Sequence, residues 1–371
     1  MLSLNLKVRS ARLLLLVPEM LRQSDDQAAG ILLAHHDPKY AAEAVDLAHV
    51  SSDSPGISRR KFGKGFAYYQ PNGKKIAKKA EIERLNRLAI PPAYKDVWIC
   101  PDPTGHLQAV GVDDRGRKQY RYHERWGEVR NRAKFSKLAE FAKVLPKLRR
   151  TTNRHLRLDG LPREKVLAAC VKLLDKLYLR VGNADYAESN GSYGLTTLQD
   201  DHATFDGGVV RLEFTAKHGI ERDVKLRDSR LARVIEASQA LEGDELLQYL
   251  DDAGNVRDIG SVDVNDYLHQ FAGASFSAKD FRTWHATVLA VNALRDEVPA
   301  ASKTAMNKQV VAAIDDVAGA LGNTRAVCRK CYVDPRVTDA FEAGNLTDRL
   351  AKAKPVRGLS KSEWQALALL E

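Results

Sequence analysis

The sequence predicts an α+β chain, with a small β-rich N-terminal domain over residues 36–130 and a larger, mostly α-helical domain containing a β-hairpin over residues 131–371. Three observations lead there. Between Gly63 and Tyr122 short apolar runs are broken by Gly, Pro and Asn, the pattern of strands joined by turns. Beyond Glu124 the apolar residues recur at helical spacing instead. At 371 residues the chain is long enough to bury two cores without staples.

Residues 1 to about 35 fit neither pattern and read as an N-terminal extension. The apolar run Leu13–Val17 within them is too short to cross a bilayer, and no small-residue cleavage site follows it. The predicted strands are Phe66–Tyr69, Val97–Cys100, His106–Val112 and Gln119–Tyr122, with a turn at Pro71-Asn-Gly73. A helix is expected over Glu81–Leu88, closed by Ile90-Pro-Pro92. In the second domain Leu138, Phe141, Ala142 and Leu145 share one helix face, as do Leu167, Val171, Leu174 and Leu177. Val209–Thr215 and Ile220–Leu226 alternate apolar and polar residues around Ala216-Lys-His-Gly219, which predicts a hairpin. Helices resume near Leu231, Val262, Lys279, Lys303 and Pro335.

The 58 Lys and Arg outnumber the 48 Asp and Glu, giving +10 and a pI near 9.3, the balance expected of a protein with a polyanionic partner. The excess is concentrated: Arg115 to Arg157 holds 15 Lys or Arg against 3 Glu. The four cysteines suggest a reducing compartment, hence a cytoplasmic protein; Cys328-x-x-Cys331 has no partner pair at zinc spacing and reads as incidental. No Gly-rich phosphate loop, clustered acidic triad or H-E-x-x-H appears, so ATP-driven and two-metal chemistry lose support and neither cofactor nor metal is expected.

Tyr332 stands in Asn323-Thr-Arg-Ala-Val-Cys-Arg-Lys-Cys-Tyr332, at the end of a helical tract. A phenol of free pKa near 10 attacks a phosphodiester at neutral pH only where positive charge favours the forming phenolate. Arg180, at the end of one amphipathic helix, and Arg282, near the start of another, can fork across phosphate oxygens; each alone also reads as a surface ion-pair residue. Lys217 at the hairpin tip is either turn filler or an ammonium positioned to protonate a leaving oxygen. Asn323 is either the N-cap of a short helix or a phosphate contact. In Arg115-Gly-Arg-Lys-Gln-Tyr-Arg-Tyr-His123 bases and aromatics interleave at β period, suited to a groove or to an ordinary sheet edge.

From about Pro55 to Gly344 the chain resembles the type IB DNA topoisomerases, specifically the compact poxvirus-like branch found in bacteria. The resemblance rests on Ala89-Ile-Pro-Pro-Ala-Tyr94, Val97-Trp-Ile-Cys-Pro101, Gly116–His123, Leu179-Arg-Val-Gly-Asn183, Asn190-Gly-Ser-Tyr-Gly-Leu-Thr-Thr-Leu198, Lys279-Asp-Phe-Arg-Thr-Trp284 and the Tyr332 block. It implies the catalytic fold shared with tyrosine recombinases, a Tyr332 nucleophile, phosphate-clamping Arg180 and Arg282, a general acid at Lys217, and Asn323 where the wider family often has histidine. Lys279 is implied as a further basic residue, and Gln119, Tyr120 and Tyr122 as major-groove contacts. The implied activity is ATP- and metal-independent relaxation of double-stranded DNA through a 3′-phosphotyrosyl intermediate, by a monomer whose two domains close around the duplex. A tyrosine site-specific recombinase is the alternative, disfavoured by the β-rich N-terminal domain.

Overall fold

The computed structural model describes residues 38–371, apart from residue 44. The expected extension at residues 1–35 and the Leu13–Val17 run lie outside the described residues. The chain divides between Ser136 and Lys137 into two units, each with its own core.

The first unit contains α1 (Pro38–Glu43), β1 (Ile57–Phe62), β2 (Gly65–Tyr69), α2 (Lys79–Arg87), β3 (Lys95–Ile99), β4 (Leu107–Val112), β5 (Lys118–Tyr122) and α3 (Glu124–Ser136). Its strands form one antiparallel sheet in the order β2-β1-β3-β4-β5. Ile57, Tyr68, Ile76, Leu85, Ile99 and Ala109 form a core between the sheet and α2. The strand β1 is absent from the sequence expectation, because in Ile57-Ser-Arg-Arg-Lys-Phe62 only Ile57 is fully buried. Arg59 substitutes for an apolar side chain there. It donates to the carbonyls of Ile90 (2.9 Å), Pro91 (2.5 Å) and Tyr94 (3.2 Å), and its guanidinium lies 4.1 Å from the Phe66 ring centre.

The second unit, Lys137–Glu371, is mainly helical. It runs α4 (Leu138–His155), α5 (Arg163–Leu177), α6 (Ala184–Asn190), the strands β6 (Ala203–Asp206), β7 (Val209–Ala216) and β8 (Ile220–Arg227), α7 (Ser229–Gln239), a short hairpin of β9 (Gln248–Leu250) and β10 (Val256–Asp258), and α8 (Ser261–Ala272). Then follow α9 (Ala278–Leu294), α10 (Lys303–Leu321), α11 (Arg325–Cys331), α12 (Pro335–Glu342), α13 (Leu346–Ala351) and α14 (Lys361–Leu370). The hairpin pairs Val209 with Arg227 through Ala216 with Ile220, leaving Lys217, His218 and Gly219 as its tip. His218 and Gly219 both take positive φ (69° and 71°), the left-handed turn that such a tight reversal needs.

The helix α9 runs through the centre of this unit, with every side chain from Phe281 to Val288 buried. Phe281 meets Phe141 of α4 edge to face, ring centres 5.1 Å apart. Part of the basic tract is spent inside the fold rather than on a partner. Arg149 of α4 pairs with Asp175 of α5 (2.8 Å) and Glu363 of α14 (2.6 Å), and Asp175 also meets His285 of α9 (3.0 Å). Burial alone would push the Asp175 carboxyl up, but His285 and Arg149 hold it well below the usual range; the same contest leaves Glu363 at about 2. These lowered pKa values stabilise the fold above the unfolded carboxylate range, and that contribution disappears as pH falls towards 2. Asp175→Ala leaves the Arg149 guanidinium short of a counter-ion. It is expected to lower unfolding free energy by about 3 kcal/mol in denaturant titration, with little change if the pair is dispensable.

Candidate active site

Arg180 is set just beyond α5, which ends where Tyr178 takes the left-handed conformation (φ 56°) and turns the chain. The following segment is locked by its backbone: Leu195 N–H donates to Arg180 O (2.8 Å) and Thr196 N–H to Val181 O (2.7 Å). The lock depends on two glycines. A Cβ on Gly194 would lie 2.6 Å from the Gly182 Cα, and Gly182 itself has φ 104°. Close approach of bare backbone explains why Leu179-Arg-Val-Gly-Asn183 and the Asn190–Leu198 stretch carry glycine at these positions.

Arg282 lies in the first turn and a half of α9, which starts with a capping box between Ser277 and Asp280. Its side chain is 4% exposed. One terminal nitrogen donates to the Tyr178 carbonyl and the other to Leu321 O (2.9 Å), the last residue of α10. Arg180 donates to the Asn323 Oδ1, with a longer contact to Gly322 O (3.4 Å). Asn323 therefore is not the N-cap of α11. Thr324 takes that place, its hydroxyl accepting from Val327 N–H.

Tyr332 terminates α11, its N–H bonded to Cys328 O (3.0 Å). Thr287 of α9 fixes the chain on its C-terminal side, donating to Tyr332 O (3.4 Å) and accepting from Asp334 N–H (3.2 Å). The Arg282 guanidinium carbon lies 5.2 Å from the centre of the Tyr332 ring.

Four of the expected residues thus converge: Arg180, Arg282, Asn323 and Tyr332. A fifth group, Arg222 of β8, was not foreseen. It donates to Gly319 O (3.3 Å) and Ala320 O (3.0 Å). The carbonyls of Gly319, Ala320, Leu321 and Gly322, at the C-terminus of α10, are consequently taken by three arginines in turn. Gly319 O also accepts from the Gly322 N–H (3.2 Å); carbonyls at a helix C-terminus carry partial negative charge that suits cations. The signal for Arg222 was present in the sequence: along β8 the inward positions are Ile220, Arg222, Val224 and Leu226, so a charge occupies an apolar register.

The cluster is strongly electropositive. Burial lowers the pKa of Arg180, Arg222 and Arg282, and neighbouring guanidinium charge adds to the effect at Arg222 and Arg282. Arg282 comes down to about 10 and remains charged at neutral pH. Among the described residues none of the three arginines pairs with a carboxylate, and the Arg282 Nε and Asn323 Nδ2 are buried donors without a partner. Such a site is built to receive an anion.

Lys217 is exposed at the hairpin tip and Lys279 is exposed at the start of α9. In the first unit Tyr120 and Tyr122 stack side by side on β5 (ring centres 6.2 Å) and are 52% and 40% exposed. Gln119, on the opposite face of that strand, donates to Asp113 Oδ2 (2.9 Å). The local cations Arg329 and Lys330 are exposed, and Arg325 is paired with Asp315 (2.5 Å).

Known proteins resemble the chain over most of its length. Residues 123–353 match the family described as "Eukaryotic DNA topoisomerase I, catalytic core", and residues 65–113 match "Bacterial DNA topoisomerase IB, N-terminal domain". The chain is similar to the DNA topoisomerase 1B of Acanthamoeba polyphaga mimivirus, 35% identical over 286 residues, which covers 75% of this chain and 85% of that protein. It is also similar to the DNA topoisomerase I of Monkeypox virus, 21% identical over 280 residues, covering 73% and 85%. These matches favour the topoisomerase over the recombinase reading. The chain belongs to the type IB DNA topoisomerases.

Proposed function

We propose that this chain relaxes supercoiled duplex DNA by the type IB route, with Tyr332 as nucleophile and the arginine cluster as the receptor of the scissile phosphate. The observation that carries the proposal is the convergence of Arg180, Arg282 and Asn323 beside Tyr332 at the α10 terminus, with buried donors left open. The Tyr332 hydroxyl releases its proton to water as its oxygen bonds to phosphorus and the bond to the 5′ oxygen breaks, giving a 3′-phosphotyrosyl link. Arg180, Arg282 and Asn323 donate to the non-bridging oxygens, where charge builds in the transition state. Lys217, assisted by Arg180, gives its proton to the leaving 5′ oxygen. The free 5′ end rotates about the intact strand, then its hydroxyl attacks the phosphotyrosine and restores both Tyr332 and the DNA backbone. The link conserves the phosphodiester bond energy, so ATP has no role.

The catalytic domain has the fold common to tyrosine recombinases and type IB topoisomerases in this reading, and the N-terminal domain applies Tyr120 and Tyr122 to the DNA, while Gln119 on the other face of β5 holds Asp113. Lys279 adds a phosphate contact. The protein works as a monomer in the bacterial cytoplasm. Supercoiled plasmid treated with dilute protein in EDTA, without ATP, is expected to yield a ladder of topoisomers and no recombinant products. Absence of relaxation under those conditions would refute the proposal.

A further inference from the structure

Arg222 has no part in the chemistry described above, yet it holds the hairpin that carries Lys217. We infer that Arg222 is a positioning residue that couples Lys217 to the phosphate-binding cluster, by fastening β8 to the C-terminal carbonyls of α10. The inference rests on the reading of Lys217 as the general acid.

Lys217 precedes Arg222 by five residues and is the first residue of the three-residue tip. The course of a two-stranded ribbon is set by what its strands are fastened to. Two ties fasten this one. On β7, Thr215 O accepts from the Tyr193 N–H (2.9 Å), within the segment that also bonds Arg180 O through Leu195. On β8, the Arg222 fork spans Gly319 O and Ala320 O. The next two carbonyls, of Leu321 and Gly322, receive Arg282 and Arg180, so the tip and the clamp are referenced to the same helix end. Gly322 makes the approach possible. It closes α10 with φ +60°, and a Cβ there would lie 3.0 Å from the Arg222 Cδ and 3.1 Å from its Nη1. The inward face of β8 is otherwise apolar, so a charge held there against burial and against Arg180 is explained by its place at the helix end.

A strand whose bridging 5′ oxygen is replaced by sulfur separates the roles. A thiolate leaves without being protonated, because a thiol is far more acidic than an alcohol, so cleavage of that strand does not need the acid. Single-turnover formation of the covalent adduct is measured on the oxygen and sulfur strands for the intact protein, K217A, R222A and R282A. R222A is expected to slow cleavage of the oxygen strand by roughly 10²-fold and of the sulfur strand by less than about 5-fold, the pattern of a displaced acid. K217A should show the same selective recovery, and R282A should stay slow on both strands. R222K keeps the charge but cannot span two carbonyls, and it is expected to fall on the same side as R222A; it serves as the test if thermal melting shows R222A to be unfolded.

Equal loss on both strands would mean that Arg222 supports only the phosphate clamp, and would overturn the inference. Wild-type rates in R222A and R222K on the oxygen strand would overturn it too. The failure of the underlying reading looks different: no adduct with the intact protein, or no recovery of K217A on sulfur, removes the nucleophile or the acid assignment itself.

Discussion

Tyr332→Phe is expected to abolish the covalent protein–DNA adduct and plasmid relaxation, while duplex affinity stays within a few fold of the intact protein. The substitution deletes one oxygen from a half-buried ring, so the loss is of the nucleophile rather than of packing. The Arg282 guanidinium keeps its partners at Tyr178 O and Leu321 O without the phenol, and Arg180 keeps Asn323. The Thr287 ties reach only backbone, the carbonyl of residue 332 and the N–H of Asp334, so they persist. Loss of a nucleophile that no neighbour replaces should reduce strand cleavage by at least about 10⁴-fold. Trapping on end-labelled duplex measures the adduct, and mobility shift measures binding. A residual adduct mapping to another residue would displace Tyr332 from its role. Equal loss of binding and adduct would show that the phenol is chiefly a DNA contact.

Much of this architecture was legible in the sequence because it rests on periodicity. Inward residues such as Val210, Leu212 and Phe214 of β7 alternate, and Leu138, Phe141, Ala142 and Leu145 of α4 repeat at helical spacing, so hydrophobic burial writes itself into the pattern. The strand β1 escaped because Arg59 lays its hydrocarbon on Phe66 and delivers its charge to three carbonyls, which leaves no apolar alternation to read. The positions of Arg180, Arg282, Asn323 and Tyr332 came from motif resemblance, not from periodicity. What joins them is the end of α10, a backbone feature with no side-chain signature except the helix-ending Gly322. Carbonyls are the same in every residue, so no sequence pattern announces that three arginines will share four of them. The charge excess of the Arg115–Arg157 tract was visible but misleading in part, since Arg149 is neutralised inside the fold and Arg121 serves the carbonyls of Leu88 and Ala89.

Arg282→Ala is expected to cut strand cleavage by about 10²- to 10³-fold, the loss typical of a donor aimed at charge that develops in the transition state. Its effect on stability should be small, and the reason lies in the sign of its pKa shift. The folded-state value of about 10 lies below the ordinary 12.5, so the fold disfavours the charged form. Keeping the guanidinium protonated at neutral pH therefore destabilises the native state by an amount on the order of 3 kcal/mol, a penalty that persists below pH 10 and vanishes as pH rises through both values. Removing the side chain relieves that penalty but leaves the carbonyls of Tyr178 and Leu321 without their donor, at about 1–3 kcal/mol each. The two effects oppose each other and should leave the melting temperature within a few degrees of the intact protein. Arg282→Lys sharpens the distinction. An ammonium keeps the positive charge near the Tyr332 ring but cannot bridge both carbonyls and still offer a side-on donor like Nε to a phosphate. It should recover no more than about 10-fold of the lost rate, if bidentate geometry rather than charge is what this position contributes. Near wild-type cleavage by Arg282→Lys would show that charge alone suffices. A collapse of the melting temperature in Arg282→Ala would show that the cluster is held for the fold, with the phosphate a secondary beneficiary.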